Sequence, residues 1–453
     1  MAPRPDRLDP ALLPPGPRWP RLVQSVGLLR FRHRFVPWLH RRYGDVFTVR
    51  ILPSPRATVL FTRPDAIRDI FAGDPEVFHA GEANSILGPV MGPHSLLLVD
   101  GAEHKRARRL LMPAFSGRPM RGYEGLVTDV ARAEVAGWHP GVEFRSLDRM
   151  NALTLEVILR VVFGVTDEAR LERLRPLVNA TVDVNPAVLL GAAFPPLRRV
   201  GMWRRAAETI RELDAVIHTE IRERRASPDL ATRPDVLSQL IRVDDGGDRL
   251  SDAELRDQLV TLLLAGHETT ATALAWALHE VGRSVEQRER ARAAAAAGDD
   301  AWLEAVLKES MRLHPVIPMV VRTLKAPATV GGVALPAGAT VAASILVAHA
   351  RPESHPEPEV FRPERFLGAS PPPNSWLPFG GGVRRCIGAG FSLMEGVAVL
   401  REVFTAFDVE AVGDDEPRVR NITSVPRRGS RVVVSRLPRA LALQVAEHAD
   451  AAE

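Results

Sequence analysis

Apolar residues recur with the period of an α-helix along most of the chain. Between Leu171 and Arg225 this pattern predicts a pair of helices, interrupted at Phe194-Pro195-Pro196. Ser251 and Glu254 have the Ser-x-x-Glu spacing of a capping box, and the apolar run behind them predicts a helix that ends near Gly282. At 1.5 Å per residue this helix would be roughly 45 Å long. A helix so long and so apolar is expected to cross the centre of the protein.

Strand signals are confined to a few segments. The stretch from Tyr43 to Phe61, rich in β-branched and apolar residues around Pro53-Ser54-Pro55, predicts a β-hairpin. Val330 to Ala350 has the length of a membrane span, but turn residues break it into strand, turn and strand; these are Gly331, Gly332, Pro336 and Gly338. Further helices are predicted at Trp302–Leu313 and Gly390–Phe407. The predicted fold class is mainly α with a small β part.

No internal repeat, flexible linker or change of composition divides the chain. We therefore expect an extended, proline-rich N-terminus at residues 1–20, a single domain at residues 21–440 and a C-terminal tail at residues 441–453.

Composition narrows the class of protein. The 453 residues are 45% hydrophobic and 25% charged, which excludes wholesale disorder. The single cysteine excludes an intramolecular disulfide and any zinc site built on several thiolates, and it fits a reducing cytoplasm. Basic residues are scattered through amphipathic stretches, which argues against nucleic-acid binding. The N-terminal residues lack the apolar stretch of a signal peptide or a membrane anchor.

The lone cysteine, Cys386, lies in a glycine-rich segment from Phe379 to Gly390. Glycines allow the backbone to approach a flat surface, and two preceding arginines and a following helix N-terminus favour an anionic sulfur. A phosphate loop would end in Gly-Lys-Ser/Thr, and a dinucleotide motif starting at Gly388 would need glycine where Leu393 stands. Apart from an inert buried cysteine, an iron site with a single thiolate remains, best known as haem with an axial cysteine.

The middle of the long helix reads Ala265-Gly266-His267-Glu268-Thr269-Thr270. Glycine and threonine lower helix propensity, and a buried carboxylate at Glu268 is costly without a partner or a task. A zinc-protease His-Glu-x-x-His motif fails because Ala271 stands where the second histidine is needed. The alternative is a helix face that merely carries a few polar residues.

These segments resemble the cytochrome P450 family of haem-thiolate monooxygenases. The family signature Phe-x-x-Gly-x-Arg-x-Cys-x-Gly is matched at Phe379, Gly382, Arg384, Cys386 and Gly388. The resemblance spans nearly the whole chain and implies the cytochrome P450 fold, with the long central helix over haem b. It implies that Cys386 is the metal ligand and that four other residues lie beside the cofactor, namely Ala265, Phe379, Gly380 and Gly388.

By the same resemblance, the central helix opens locally and delivers protons to dioxygen. Thr269 would hydrogen-bond the oxygen and Glu268 would relay protons from water, a general-acid role. Basic residues expected to bind the haem propionates are His104, Arg108, Arg322 and Arg384. For the pair on the predicted helix, at positions 104 and 108, the alternative is a solvated basic face.

Three charged residues resemble a structural triad of the family. Glu309 and Arg312 lie at i and i+3, a spacing that alone indicates an ordinary surface ion pair. With Arg365 they match the buried Glu–Arg–Arg group that holds the loop before Cys386.

Mostly apolar side chains are expected to line the substrate pocket. Helical spacing and position in the family select Thr261, Leu264, Ala265, Thr269, Val316, Ile317 and Met319, together with the segment Ser85–Met91. Each could equally be ordinary core. The absence of charge favours a lipophilic substrate such as a fatty acid, terpene or polyketide, oxidised by hydroxylation or epoxidation.

The resemblance also implies partners. Electrons from NAD(P)H would arrive through a separate ferredoxin and ferredoxin reductase, or a flavodoxin. A basic surface at Lys105, Arg106, Arg109 and Arg385 would steer an acidic partner. We expect a cytoplasmic monomer of secondary metabolism without a membrane anchor. Two alternatives stay open, a peroxide-driven oxygenase and a non-catalytic haem-binding sensor.

Overall fold

Helices dominate the computed structural model, which describes residues 13–52, 54, 56–165, 167–182, 201–368 and 370–436. They are α1 (Arg21–Arg30), α2 (Arg32–Tyr43), α3 (Pro64–Ala72), α4 (Gly88–Met91), α5 (Gly101–Leu111), α6 (Gly117–Ala136), α7 (Ser146–Phe163), α8 (Glu168–Val182), α9 (Gly201–Ala226), α10 (Val236–Arg242), α11 (Asp252–Gly282), α12 (Val285–Ala297), α13 (Asp300–Leu313), α14 (Ile345–Ala348) and α15 (Ala389–Ala406). Short 3-10 turns lie at Glu82–Leu87, Met112–Phe115, Pro363–Phe366 and Gly382–Arg384.

The strongest helix predictions are confirmed. The N–H of Glu254 donates to Ser251 Oγ and the N–H of Ser251 donates to Glu254 Oε2, so the capping box of α11 is complete. Helix α13 begins two residues before the predicted start, because the Asp299 side chain accepts the N–H of Trp302 and caps it. The predicted helical pair corresponds to α8 and α9, while the interruption at Phe194-Pro195-Pro196 lies outside the described residues.

Within the described residues, the strands form one larger sheet and three small ones. They are β1 (Val46–Arg50), β2 (Ala57–Phe61), β3 (Phe78–His79), β4 (Phe144–Arg145), β5 (Met319–Leu324), β6 (Ala328–Val330), β7 (Val333–Leu335), β8 (Thr340–Ser344), β9 (Phe407–Ala411), β10 (Pro417–Arg420), β11 (Thr423–Pro426) and β12 (Arg431–Arg436). The larger sheet has the order β1-β2-β8-β5-β3, in which β2 and β8 are parallel. The other sheets are β4-β12-β9 and the hairpins β6-β7 and β10-β11.

The two predicted strand regions are confirmed in most of their length. Strands β1 and β2 form the antiparallel hairpin expected between Tyr43 and Phe61. Strands β6 and β7 pair across Gly331 and Gly332, both at positive φ, and β8 follows. The end of this region was predicted as strand, but Ile345–Ala348 form the helical turn α14.

The central helix α11 positions the site. Between Leu255 and Gly282 it is buried everywhere except near its middle, at Leu262, Leu264, Ala265, Gly266 and Thr269. Helix α7 packs closely against it, since a Cβ at Gly266 would lie only 2.8 Å from Ile158 Cδ1. The Thr154 hydroxyl on α7 donates to the carbonyl of His267 at 3.0 Å. The middle of α11 is therefore the part of this otherwise buried helix that is accessible to a ligand.

The predicted termini are only partly covered. Residues 13–20 contain neither helix nor strand, while residues 1–12 and the tail at 441–453 lie outside the described residues. Within the part of the chain that the structure describes, no helix has both the length and the apolar character needed to cross a membrane.

Candidate functional site

A tight loop before α15 presents Cys386. The N–H of Cys386 donates to the carbonyl of Phe379 at 2.9 Å, and the N–H of Arg385 donates to that of Gly382 at 3.1 Å. Gly380 and Gly382 both have φ of 63°, a left-handed conformation that favours glycine. A Cβ at Gly382 would lie 1.9 Å from the carbonyl oxygen of Phe71. These two glycines therefore let the loop turn sharply and lie against α3.

The Cys386 thiol is accessible to solvent and yet closely surrounded by protein, which places it at the bottom of a cleft. Burial raises the pKa of this thiol, while a hydrogen bond from the Gly388 backbone and the charges of Arg108 and Arg385 act in the opposite direction. The net direction is upward, so the protein alone does not stabilise the thiolate that the sequence led us to expect. Coordination to a metal cation would deprotonate the sulfur.

The middle of α11 carries Ala265, which is exposed, and Thr269, which is half-buried. The Thr269 hydroxyl donates to the carbonyl of Ala265 at 2.7 Å. This bond adds to the helical ladder, and α11 is a continuous α-helix from Asp252 to Gly282. The predicted local opening of the helix is therefore absent from this structure.

Glu268 is buried and its carboxylate has partners on another element. Its Oε1 lies 3.2 Å from the hydroxyl of Thr423 and 3.4 Å from Nε of Arg420. Both residues belong to the β10-β11 hairpin, and Thr423 also donates to the carbonyl of Arg420 at 2.7 Å. The hairpin thus supplies the partners that a buried carboxylate needs. Sequence reasoning missed them because more than 150 residues separate the groups.

Four predicted basic residues converge near the cysteine loop. Arg384 forms an ion pair with Asp100 and donates to the carbonyl of Leu96 at 3.1 Å. Arg108 on α5 donates to the carbonyl of Arg385 at 2.8 Å, and its guanidinium lies close enough to Cys386 for their charges to interact. Asp100, which sequence reasoning missed, also accepts three backbone N–H groups, from Ala80, Gly81 and Glu82.

The remaining two basic residues are buried. Burial and the nearby Arg384 lower the pKa of Arg322 to about 10, and the same two causes lower the pKa of His104 to about 4. Among the described residues no carboxylate lies within ion-pair distance of Arg322, whose guanidinium donates to the carbonyl of Val321 at 2.8 Å. One carboxylate, Asp100, thus faces several cationic groups. This excess of donors and positive charge fits a ligand that carries carboxylates, as the propionates of haem do.

The predicted triad is assembled around Glu309, which has an exposed fraction of 0%. Arg312 binds both of its oxygens, at 2.7 and 2.8 Å. Arg365 Nε lies 3.1 Å from Oε1, and the N–H of Arg362 donates to the same oxygen at 2.9 Å. Arg312 also donates to the carbonyls of His349 and Pro358 at 3.0 and 2.7 Å. Every charge in this buried group is therefore partnered.

His349 extends the triad to the cysteine loop. The N–H of Leu377 donates to His349 Nε2 at 2.7 Å, and His349 Nδ1 lies 3.2 Å from the carbonyl of Arg312. Because Nε2 accepts, Nδ1 carries the proton and donates. Complete burial lowers the pKa of His349 to about 3, which keeps the ring neutral in this role. Two residues beyond Leu377 the chain reaches Phe379, whose carbonyl accepts the N–H of Cys386.

A buried carboxyl group, Glu395, was also missed. Complete burial raises its pKa to about 8, and Thr270 on α11 is its hydrogen-bonding neighbour. The Thr270 hydroxyl also lies 3.1 Å from that of Ser392 on α15. This polar group connects the central helix to the helix that follows Cys386. A single acidic residue within the apolar stretch 389–400 was the signal in the sequence.

The predicted pocket residues differ in accessibility. Thr261 is buried, and its hydroxyl is already bonded to Ser95 and to the carbonyl of Asp257 at 2.7 and 2.6 Å. Val316 is buried as well. Half-buried or exposed members are Leu264, Ala265, Thr269, Ile317, Met319 and, within the segment Ser85–Met91, residues 85–89. These members are the ones with surface available to a ligand.

The predicted docking surface contains ion pairs within the chain. Arg106 pairs with Asp248 and Glu254, which raise its pKa, and Arg109 pairs with Asp245 at 2.5 Å and with Asp248 at 3.1 Å. Lys105 and Arg385 are exposed. The positive charge available to an acidic partner is therefore smaller than the sequence indicated.

Comparison with known proteins defines the class. The family model of cytochrome P450 matches residues 13–432, so the chain belongs to the cytochrome P450 family and is a haem monooxygenase. The family uses haem with a cysteine thiolate and dioxygen.

Particular relatives support this membership. The chain is 51% identical over 424 residues to putative cytochrome P450 135A1 of Mycobacterium tuberculosis, covering 93% of this chain and 94% of that protein. It is 42% identical over 431 residues to putative cytochrome P450 135B1 of Mycobacterium bovis, covering 93% and 91%. Among solved structures, retinoic acid bound cyanobacterial CYP120A1 is similar with a TM-score of 0.83 and 26% identity, covering 94% of this chain and 99% of that one.

The raised pKa of Glu395 predicts a pH-dependent stability. In the unfolded chain this carboxyl loses its proton near its ordinary pKa, whereas the folded protein holds the proton up to about pH 8. Unfolding then releases a proton between these values, so stability falls as pH rises, with a slope approaching about 1.4 kcal/mol per pH unit. Glu395→Gln should resemble the wild type at pH 5 and melt at a higher temperature at pH 8. A melting-temperature difference that stays constant with pH would contradict this assignment.

Proposed function

We propose that the protein is a monooxygenase that inserts one atom of dioxygen into a lipophilic small molecule, with Cys386 as the axial ligand of haem b. The observation that carries the ligand assignment is the accessible thiol near three arginines, Arg108, Arg322 and Arg384, and the imidazole of His104. Sulfur would bind the iron and the cations would bind the propionates. Ala265, Phe379, Gly380 and Gly388 are assigned to the surroundings of the porphyrin.

When bound, the haem supplies the chemistry that activates dioxygen. The residues of the chain orient the reactants and move protons. Thr269 is positioned to offer its hydroxyl to oxygen once it leaves the carbonyl of Ala265, which it now binds at 2.7 Å. Glu268 is assigned to proton supply, and Thr423 and Arg420 hold its Oε1 on the side of the β10-β11 hairpin. A rotation of the carboxylate away from the hairpin would bring protons toward Thr269.

Lipophilic substrates fit the accessible residues of the pocket. Leu264, Ala265, Ile317 and Met319 carry no charge and retain exposed surface. The related structure of similar fold is described as bound to retinoic acid, a lipophilic molecule. A fatty acid, terpene or polyketide is the substrate class that we propose, with hydroxylation or epoxidation as the reaction. Thr261 and Val316 would shape the pocket from buried positions.

Electron supply is assigned to separate partners, a ferredoxin with its reductase or a flavodoxin, in the cytoplasm. The decisive experiment is oxygen uptake by the holoprotein with NAD(P)H, surrogate ferredoxin, its reductase and a lipophilic ligand that displaces water from the iron. We expect product to form only when the ligand, NAD(P)H, the reductase and the ferredoxin are all present. Product with hydrogen peroxide alone would identify a peroxide-driven oxygenase. Spectral binding without product under either condition would identify a haem-binding sensor.

Replacement of the proposed iron ligand should remove the spectral signature of the family. In Cys386→Ala the reduced carbon-monoxide complex should lose the absorption band characteristic of thiolate-bound haem, because no other cysteine exists in the chain. Cys386→His is the matched control, since an imidazole keeps the haem bound while changing the ligand. Retention of the thiolate band in Cys386→Ala would refute the assignment.

Proton delivery should depend on Thr269 and on the partners of Glu268. We expect Thr269→Ala to retain haem but to yield severalfold less product per NAD(P)H, with the balance released as hydrogen peroxide. Thr423→Val removes the hydroxyl 3.2 Å from Glu268 and should change this coupling and its pH profile. Thr270→Ala, at a neighbouring residue whose hydroxyl contacts Ser392 and Glu395 instead of Glu268, is the control for coupling. Full coupling in Thr269→Ala would show that protons reach oxygen by another route.

Charge reversal should show whether the accessible cations Lys105 and Arg385 attract an acidic redox partner. Lys105→Glu with Arg385→Glu should slow electron transfer from an acidic ferredoxin, and the effect should shrink at high salt. Arg205→Glu, an exposed site on α9, is the control. Stopped-flow reduction measures the rate, and equal rates in the wild type and the double variant would exclude this surface.

A further inference from the structure

Helix α1 leaves most of its large apolar side chains in solvent and buries two polar ones. It buries Gln24, Ser25 and Leu28 against the protein, whereas Leu22, Val26 and Leu29 point into solvent with exposed fractions of 64%, 48% and 50%. These three residues are spaced i, i+4 and i+7, so they form one continuous face. Val23 adds to it and is also exposed.

Hydrogen bonds to the sheet edge hold α1 in this orientation. Gln24 Oε1 accepts the N–H of Arg50 and Ser25 Oγ accepts the N–H of Leu52, both at 2.8 Å. Gln24 Nε2 donates to the carbonyls of Pro17 and Trp19. Rotating the helix to bury Leu22 and Leu29 would leave these backbone groups unpaired. These hydrogen bonds therefore fix the orientation of α1 and keep its apolar face exposed.

Aromatic and basic side chains surround this face. Trp19 and Trp38 stack at 5.3 Å between ring centroids, and both are exposed, as is Phe31. Residues 13–44 contain seven arginines and no aspartate or glutamate. Exposed members of this set are Arg18, Arg21, Arg30, Arg34, Arg41 and Arg42. Arg34 pairs with the exposed Glu416 at 3.1 Å, and the buried Arg32 donates to the carbonyls of Asn421 and Ile422.

We propose that the α1 surface, defined as the exposed apolar face of α1 with the aromatic and arginine side chains of residues 13–44, docks on an anionic lipid bilayer. Aliphatic residues on one helix face, flanked by tryptophan and arginine, are the arrangement by which helices lie in a membrane interface. Anionic headgroups complement the arginines. A second copy of this chain fits poorly, because a two-fold contact would place arginine-rich segments against each other.

Vesicle binding tests the proposal on the holoprotein. We expect sedimentation with vesicles of phosphatidylglycerol and phosphatidylcholine, and at least tenfold weaker partitioning onto phosphatidylcholine alone. Leu22→Ser/Val26→Ser/Leu29→Ser should reduce partitioning at least tenfold. The control Val142→Ser/Val285→Ser/Val360→Ser removes a similar amount of exposed apolar surface elsewhere and should bind like the wild type. Because all six sites are exposed, both variants should fold, which the haem spectrum and the melting temperature verify.

The arginines are tested separately. Arg30→Gln/Arg41→Gln/Arg42→Gln should abolish the preference for anionic vesicles. Salt at 0.5 M should also reduce this preference in the wild type, because it screens the arginine charges. The control Arg205→Gln/Arg211→Gln/Arg222→Gln on α9 has the same loss of charge. Absence of wild-type binding to anionic vesicles, or equal losses in test and control variants, would overturn the proposal. Self-association that disappears in the α1 variant would identify a second copy as the occupant and would also overturn it.

Discussion

The buried carboxylate of Glu309 ties the segment that leads to the cysteine loop to helix α13. It binds Arg312 of its own helix, Arg365 and the backbone of Arg362, and none of these charges reaches solvent freely. A buried ion pair contributes little net stability, but removal of one partner typically costs about 3–5 kcal/mol. The group formed by Glu309, Arg312 and Arg365 instead fixes the position of α13 relative to the segment that leads to Cys386.

Helix α13 also contacts the chain on each side of the loop. Before the loop, Trp376 Nε1 donates to the carbonyl of Lys308 at 3.1 Å, and Leu377 is tied to Arg312 through His349. After the loop, a Cβ at Gly396 on α15 would lie 2.2 Å from Leu307 Cδ2, so only glycine permits this close packing. A rigid helix that fixes both ends leaves the sulfur little freedom. Such preorganisation suits the metal-binding role that we propose for Cys386.

The sequence predicted local features well and long-range partners poorly. The cap at Ser251 and the i, i+3 pair of Glu309 and Arg312 could be predicted because spacing alone determines them. The contact of Glu268 with the β10-β11 hairpin could not, because it depends on how distant elements pack. The same limit explains Arg106 and Arg109. The sequence indicated that both arginines are available to a partner. In the structure both form ion pairs with Asp248, about 140 positions further along the chain.

Helix α1 shows why periodicity cannot decide which face of a helix is buried. Its apolar positions repeat correctly, and the usual inference would place Leu22 and Leu29 inside. What decides is the edge strand β1, whose N–H groups need acceptors. Gln24 of α1 accepts the N–H of Arg50, and Ser25 accepts that of Leu52 just beyond the strand. An unpaired buried amide costs about 1–3 kcal/mol, comparable to the gain from burying one leucine. The free energy of the two hydrogen bonds to these amides therefore offsets the gain from burying Leu22 and Leu29. The apolar face that stays exposed as a result carries the proposed lipid contact.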